Sequence, residues 1–124
     1  MKPYALIAAG DPRQARHYQQ ALRGAGFQVQ TVTTAARAQV QLAFSTPDLI
    51  VLDMLLPDLP GEVVLRQIDA QRRFDSTTLI LLSIEKTSTR KIERQAPAHA
   101  FKQPINPTKL VSLVSAMSPA GAQL

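Results

Sequence analysis

The sequence predicts a doubly wound α/β domain, in which helices cover both faces of a parallel sheet. Short apolar runs that suit buried strands occur at Tyr4–Ala9, Leu49–Leu52 and Thr78–Leu82. Segments with the apolar spacing of amphipathic helices separate these runs, and such an alternation is typical of parallel sheets. The chain of 124 residues has the length of one domain. We therefore assign residues 1–124 to a single domain with a core from about 4 to 117.

The first helix is predicted from the residues at its two ends. Asp11 suits the N-cap position and Pro12 the first helical position. Gly24 and Gly26 are expected to end the helix. The residues that recur near helical spacing, and that we expect to face the sheet, are Ala15, Tyr18, Leu22 and Ala25.

The second strand, Phe27–Val32, alternates apolar and polar residues, with Gln28 and Gln30 pointing outward. This pattern favours an edge strand over a central one. Thr33 or Thr34 can cap a second helix that ends near residue 44. The apolar stripe expected to face the sheet is Ala36, Val40 and Phe44.

The second half of the chain continues the alternation. A third helix is predicted from about Glu62 to Arg72, with Val64, Leu65 and Ile68 buried, and a turn follows at Asp75–Ser76. A short polar helix at Thr87–Gln95 and a brief fifth strand at Ala98–Lys102 come next. The last helix opens at Pro107, and its buried face is predicted to hold Leu110, Val111, Val114 and Met117. We expect residues 118–124 to be a frayed tail or the start of a linker.

The composition excludes several classes of protein. The net charge is +5, but the basic residues are scattered and the only aromatics are two Tyr and four Phe. This favours a solvated basic surface over a nucleic-acid interface. There is no Cys for a disulfide framework or thiolate metal site. No apolar run approaches the roughly 20 residues of a membrane span, and the N-terminus lacks a signal-peptide pattern. We therefore expect a cytoplasmic protein without membrane partners.

The third predicted strand ends on an acid, Asp53, and a loop with Pro57, Pro60 and Gly61 follows. Ligands of open parallel sheets bind beyond the carboxyl ends of the strands. A carboxylate at that edge can be a nucleophile, a metal ligand or a cap for the next turn.

The stretch Pro47–Gly61 resembles the third strand and following loop of a two-component response-regulator receiver domain. In that family the strand-end acid is followed by a proline four residues on and a glycine eight residues on, and Asp53, Pro57 and Gly61 match. The resemblance extends from Tyr4 to about Met117. It implies a flavodoxin-like (βα)5 fold with strand order 2-1-3-4-5, and it makes Asp53 the equivalent of the residue that accepts a phosphoryl group from a histidine kinase.

One further position matches the family pattern and several others depart from it. Ser83 stands where the family has its switch hydroxyl, at the end of the fourth strand. The family's acidic pair, which holds Mg²⁺, falls on Ala9 and Gly10, and its lysine falls on Gln103. Lys102 is adjacent, but neighbouring strand residues point to opposite faces. The position of the switch aromatic holds Ala100.

The residual metal ligands that the resemblance leaves are Asp53, Asp11 and the backbone carbonyl of Leu55. We favour the cap role for Asp11, so such a site is expected to bind Mg²⁺ weakly. No resident metal or other cofactor is therefore expected.

The leading interpretation is a degenerate receiver, or pseudo-receiver, that acts as a protein-interaction module without normal Mg²⁺-dependent phosphorylation and is not an enzyme. Its partner would be a signalling protein such as a histidine kinase or an output domain. By family analogy it would bind near the fourth helix, fifth strand and last helix, where Arg90, Lys91 and Arg94 form a basic face. One alternative is a phospho-accepting receiver that uses Asp53 and a weakened Mg²⁺ site assisted by Asp11, Asp58 or Glu62. Another is a basic nucleic-acid-binding module.

Overall fold

The computed structural model describes residues 2–83, 98–103 and 105–117. The described elements, in chain order, are β1 (Tyr4–Ala8), α1 (Pro12–Gly24), β2 (Gln28–Val32), α2 (Ala35–Phe44), β3 (Leu49–Asp53), α3 (Gly61–Asp69), a short 3-10 helix (Arg72–Phe74), β4 (Thr78–Ser83), β5 (Ala98–Lys102) and α4 (Pro107–Met117). The predicted helix Thr87–Gln95, the basic residues at 90, 91 and 94, and the tail 118–124 lie outside the described residues.

The five strands form one parallel sheet in the order β2-β1-β3-β4-β5. This confirms the predicted flavodoxin-like topology, including the edge position of β2. The register pairs Asp53 with Leu82 and Ser83 with Lys102. The carboxyl ends of β3, β4 and β5 therefore meet at one edge of the sheet, where the fold places its ligands.

The sheet separates two apolar cores. On one face, Ile7 and Val51 of the sheet pack with residues of α1 and α4. On the other face, Leu52 packs with residues of α2 and α3. Every residue of β3 is buried, as expected for a central parallel strand that is covered on both faces.

The sequence reading of α1 is confirmed except for the burial of Ala25. The Asp11 carboxylate accepts a hydrogen bond from the Arg13 N–H at 2.9 Å, which caps the helix. The predicted inward residues Ala15, Tyr18 and Leu22 are buried. The prediction for Ala25 is wrong, because that residue is exposed. The helix ends at Gly24 as predicted, and the chain turns into β2 through Gly26, which has a φ of 99°.

The predicted inward stripe of α2 is wrong. Thr34 caps the helix, and the buried residues are Ala35, Ala38 and Leu42. The expected stripe, Ala36, Val40 and Phe44, is exposed. The helix carries two apolar stripes, and only one of them can face the sheet. The buried one has small residues at 35 and 38, which let the helix approach the sheet closely, and places Leu42 in the core.

The remaining helices agree with the sequence in most positions. In α3, Val64, Leu65 and Ile68 are buried as predicted, but the helix ends at Asp69, earlier than expected. In α4, Leu110 and Val114 are buried. Of the other two residues predicted on that face, Val111 is only half-buried, so its prediction is wrong, and the side chain of Met117 lies outside the described residues.

Candidate functional site

Asp53 lies at the carboxyl end of β3 and is 5% exposed. Its Oδ1 accepts hydrogen bonds from the Leu55 N–H at 2.8 Å and from Nε2 of Gln103 at 2.5 Å. Its Oδ2 accepts a longer hydrogen bond, 3.4 Å, from the Gly10 N–H. This buried carboxylate is therefore hydrogen-bonded by three neutral N–H donors, as a buried polar group requires.

Gln103, which directly follows β5, donates hydrogen bonds to residues at the carboxyl ends of β3 and β4. Its side-chain Nε2 donates to Asp53 and also to the Leu82 carbonyl, at 3.2 Å. Its backbone N–H donates to the Ser83 carbonyl at 2.8 Å. Lys102 is exposed. The side chain after β5 that faces Asp53 is therefore the neutral amide of Gln103 and not a lysine ammonium group.

The two positions where the resemblance expected acids lie next to Asp53. Ala9 is buried in the apolar core. A Cβ on Gly10 would lie 3.5 Å from the Leu55 carbonyl oxygen and 3.1 Å from Cδ of Pro57. A side chain at position 10 would therefore extend over the loop that follows β3, towards the carbonyl that was expected to be a metal ligand.

Ser83 is buried at the end of β4, one strand away from Asp53. Ala100 is half-buried and packs against the core under α2 and α3. The structure thus brings Asp53, Ser83, Gln103 and Gly10 to one edge of the sheet. An alanine methyl at position 100 cannot form the hydrogen bond or ring contact that an aromatic side chain there would offer.

The other acids considered from the sequence are engaged elsewhere. Asp11 caps α1. Asp58 binds backbone N–H groups of α2, and Glu62 forms a 3.9 Å ion pair with Arg66. Within residues 2–83, 98–103 and 105–117, no group of three or more His, Cys, Asp or Glu side chains could hold a metal ion.

The role of Asp58 was missed by the sequence analysis. Its two carboxylate oxygens accept hydrogen bonds from the N–H groups of Ala35, at 2.8 Å, and Ala36, at 3.0 Å. These bonds lower the pKa of Asp58 below its usual value of 3.8. Asp58 therefore anchors the loop after Asp53 to the N-terminus of α2. No local sequence pattern marks a bond between residues that are 22 and 23 positions apart.

We expect Asp58→Ala to destabilise the domain at neutral pH and to leave it close to wild type in acid. A carboxyl with a lowered folded-state pKa contributes stability above its unfolded pKa, near 3.8, and loses it as pH falls through the folded value. Urea denaturation from neutral pH to below pH 3.8 measures this difference. A difference between variant and wild type that stays constant over this range would contradict the role.

Gly61 opens α3 directly against the strand that carries Asp53. A Cβ at this position would lie 2.6 Å from the Asp53 carbonyl oxygen and 2.6 Å from Cα of Met54. The Gly61 N–H donates to the Met54 carbonyl at 3.0 Å. The glycine matched by sequence spacing is therefore needed for close backbone approach.

A cleft of about 350 Å³ lies between α1 and the segment that leads into α4. It is lined by Gln14, His17, Tyr18, Ile105, Asn106 and Pro107. Burial raises the pKa of the Tyr18 hydroxyl, and the carboxylates of Asp53 and Asp11 raise it further, whereas the Ile105 N–H acts in the opposite direction. Tyr18, predicted only as a core residue, is thus within electrostatic range of Asp53.

The fold and the site together define a class of protein: a flavodoxin-like domain with a buried aspartate at the carboxyl edge of its central strand. The chain matches the family described as "Response regulator receiver domain" over residues 5–115. It belongs to the response regulator receiver domain family and is thus a receiver domain of two-component signalling.

Individual proteins agree with this assignment. The chain is 31% identical over 120 residues to "DNA-binding response regulator MtrA" of Mycolicibacterium smegmatis, and the match covers 94% of this chain and 50% of that protein. The chain therefore spans about half the length of this curated relative.

Solved structures show the same fold. The signal receiver domain of a signal transduction histidine kinase from Syntrophus aciditrophicus is 27% identical, with a TM-score of 0.78, and the match covers 93% of this chain and 89% of that one. The chemotaxis response regulator CheY4 of Vibrio cholerae is 18% identical, with a TM-score of 0.82 and coverage of 95% and 100%.

Receiver domains are signalling modules that interact with histidine kinases and output domains, and they are not enzymes in the usual sense. In the part of the chain that the structure describes, no helix is long and apolar enough to cross a membrane.

Proposed function

We propose that this receiver domain acts through protein contacts in a state that does not depend on Mg²⁺-assisted phosphorylation. The observation that carries this proposal is the hydrogen bonding of Asp53. Its carboxylate is bonded to Gln103, Leu55 and Gly10, where the family pattern has a cation and a lysine.

The residues present do not fit a Mg²⁺ ion. Mg²⁺ demands near-octahedral oxygen ligands and is usually held by carboxylates together with waters. In the described residues this edge offers the Asp53 carboxylate and the Leu55 carbonyl, while the nearby acids Asp11 and Asp58 bind backbone N–H groups. The Gly10 N–H also directs a hydrogen atom at Oδ2 of Asp53 and so uses one lone pair of that oxygen.

The charge at this edge is equally unsuited to phosphoryl transfer. The transferred group carries negative charge on its oxygens, and catalysis depends on fixed positive charges that stabilise it. The Gln103 amide supplies a neutral donor, and hydrogen bonds from ionised donors are roughly twice as strong as those from neutral ones. Its N–H groups are already directed at Asp53 and the Leu82 carbonyl.

The partner that this proposal implies is a protein of a signalling pathway, either a histidine kinase or an output domain. The curated relative from M. smegmatis is named as a DNA-binding response regulator and is about twice as long as the match. The signal would pass through direct contact with the folded receiver, either to an output domain elsewhere in a longer protein or to a separate partner chain.

We expect no saturable amide NMR shifts at Asp53, Leu55 or Gly10 when the protein is titrated with Mg²⁺ through the millimolar range. Incubation with Mg²⁺ and a small-molecule phosphodonor should leave the intact mass unchanged. Asp53→Asn, which removes one acceptor oxygen and the charge, is the matched control. Saturating shifts that are absent in the control, with a mass gain of one phosphoryl group on Asp53, would overturn the proposal and establish the phospho-accepting alternative.

A further inference from the structure

One face of α2 is apolar and open to solvent. Its exposed residues, which we call the α2 outer face, are Ala36, Arg37, Val40, Ala43 and Phe44. Val40 is 58% exposed and Phe44 is 85% exposed. Arg37 is the only charged residue of the helix. Adjoining exposed apolar side chains of this kind mark interaction surfaces.

The orientation of this face is fixed by hydrogen bonds from neighbouring elements. Asp58 binds the N-terminus of α2, and the Gln67 side chain donates to the Gln39 carbonyl at 3.1 Å. At the other end the Arg73 guanidinium donates to the Leu42 carbonyl. Because both ends and the middle are held, α2 cannot rotate to bury Phe44 within its own domain.

A groove of about 430 Å³ runs beside this face, between α2 and the edge strand β2. Its walls include Thr31 and Val32 of β2 and Arg37, Val40 and Gln41 of α2. A volume of this size lies in the range of small-molecule pockets, so the groove has room for a phenyl ring.

We propose that a second copy of this chain covers the α2 outer face, with the two α2 helices packed antiparallel about a two-fold axis beside Val40. In an antiparallel pair centred on this residue, a residue of one copy faces the residue that lies about as many positions beyond Val40 in the other copy as it lies before Val40 in its own. Val40 then meets Val40 of the second copy, Arg37 lies beside Phe44, and Ala36 lies beside Ala43.

A second copy fits because this register matches each residue with a complementary one. The only cation of the face lies against the aromatic ring of the other copy, an arrangement that cation–π attraction favours. The two alanine positions let the helix backbones approach. Phe44 of each copy reaches the groove next to Arg37 of the other. The two Arg37 residues are separated by about 9 Å along the helix axis, from a rise of 1.5 Å per residue, so their repulsion is largely screened at physiological salt.

The size of the α2 outer face determines how stable the dimer is expected to be. A standard stable interface buries about 1,600 Å² in total, and a single pair of ten-residue helices with two inserted rings is at the lower end of interface sizes. The dimer is therefore weak and forms at high protein concentration or when a longer protein holds two copies together. This dimer does not depend on the chemistry of Asp53.

Sedimentation velocity over a concentration series up to the millimolar range tests the proposal. We expect reversible dimerisation of the wild type, weakened at least about tenfold by Phe44→Glu, which places a buried charge against apolar residues. Because Phe44 is 85% exposed, this variant should keep the wild-type circular dichroism and thermal midpoint.

The matched control is Gln20→Glu, which changes the net charge by the same amount at an exposed position of α1. It should dimerise as the wild type does. A wild type that stays monomeric throughout, or equal dimerisation of Phe44→Glu and the control, would overturn the proposal. The proposal would also be overturned if NMR contacts between isotopically labelled and unlabelled copies mapped outside the α2 outer face.

Discussion

The triple substitution Ala9→Asp, Gly10→Asp and Gln103→Lys is expected to give this domain a saturable Mg²⁺ site. It should also raise the rate of Asp53 phosphorylation by a small-molecule phosphodonor at least about 100-fold. That factor is the lower end of what one preorganised electrostatic donor contributes in enzymes. The substitutions introduce the acidic pair and the lysine of the family pattern, which under the proposed function are the groups that this site lacks.

The structure has room for a side chain at position 10, whereas the acid at position 9 would replace a buried alanine of the apolar core. A Cβ at position 10 would lie 3.1 Å from Cδ of Pro57, 3.5 Å from the Leu55 carbonyl oxygen and 3.9 Å from Cα of Leu56. A small shift of the proline ring admits it, and the new carboxylate then lies on the same side of the loop as that carbonyl. Position 103 already directs its side chain at Asp53. A lysine there replaces a neutral donor by a charged one.

Two controls separate restored chemistry from added charge. Asp53→Asn in the triple background should abolish the mass gain because the acceptor is lost. Ala9→Asn and Gly10→Asn with Gln103→Lys keep the approximate shapes but remove both new carboxylates, and should not bind Mg²⁺. If the triple variant folds, as judged by circular dichroism, yet shows neither Mg²⁺ shifts nor phosphorylation, the account of this site is wrong.

Gly61→Ala is expected to lower the free energy of unfolding by about 3 kcal/mol, the upper end of the usual cost of overpacking. The added methyl would lie 2.6 Å from two backbone atoms, the Asp53 carbonyl oxygen and Cα of Met54. Backbone atoms of a central strand cannot move aside as a flexible side chain can. For a domain of this size the change corresponds to roughly 10 °C in Tm, measured by thermal denaturation.

Gly24→Ala is the matched control. No atom lies within 4 Å of its added Cβ, and its backbone is helical. Alanine is favoured over glycine in a helix by roughly 0.5–1 kcal/mol, so this variant should be as stable as the wild type or slightly more stable. Equal effects of the two substitutions would show that close approach at Gly61 does not limit the fold.

The strand patterns indicated which strands are central and which lie at an edge, whereas the full strand order was implied by the resemblance to receiver domains. The continuous apolar run before Asp53 marks a strand buried on both faces, and the alternation around Gln28 and Gln30 marks an edge. Both positions are confirmed by the strand order. Gln103 could be placed near Asp53 because the resemblance puts it at the position of the family's lysine, directly before a proline.

The rotation of α2 could not be derived in the same way. Its sequence holds two apolar stripes of helical spacing, and periodicity alone does not decide between Leu42 and Val40 as the inward residue. The choice depends on long-range partners such as Asp58 and Arg73. The hydrogen bond from the Gly10 backbone to Asp53 was equally hidden, because it requires no particular side chain at position 10.

The hydrogen bonds of Asp53 have a consequence for how this domain responds to its surroundings. Several acids that crowd one edge of a sheet repel each other until a cation binds, so the stability of such a domain follows the metal concentration by mass action. Here Asp11 and Asp58, two of the acids considered as metal ligands, accept hydrogen bonds from helix N–H groups, and the Asp53 carboxylate accepts hydrogen bonds from neutral donors. Under the function proposed above, the shape that a partner meets is expected to be the same whether divalent cations are scarce or abundant, and the domain would then serve as a constant scaffold.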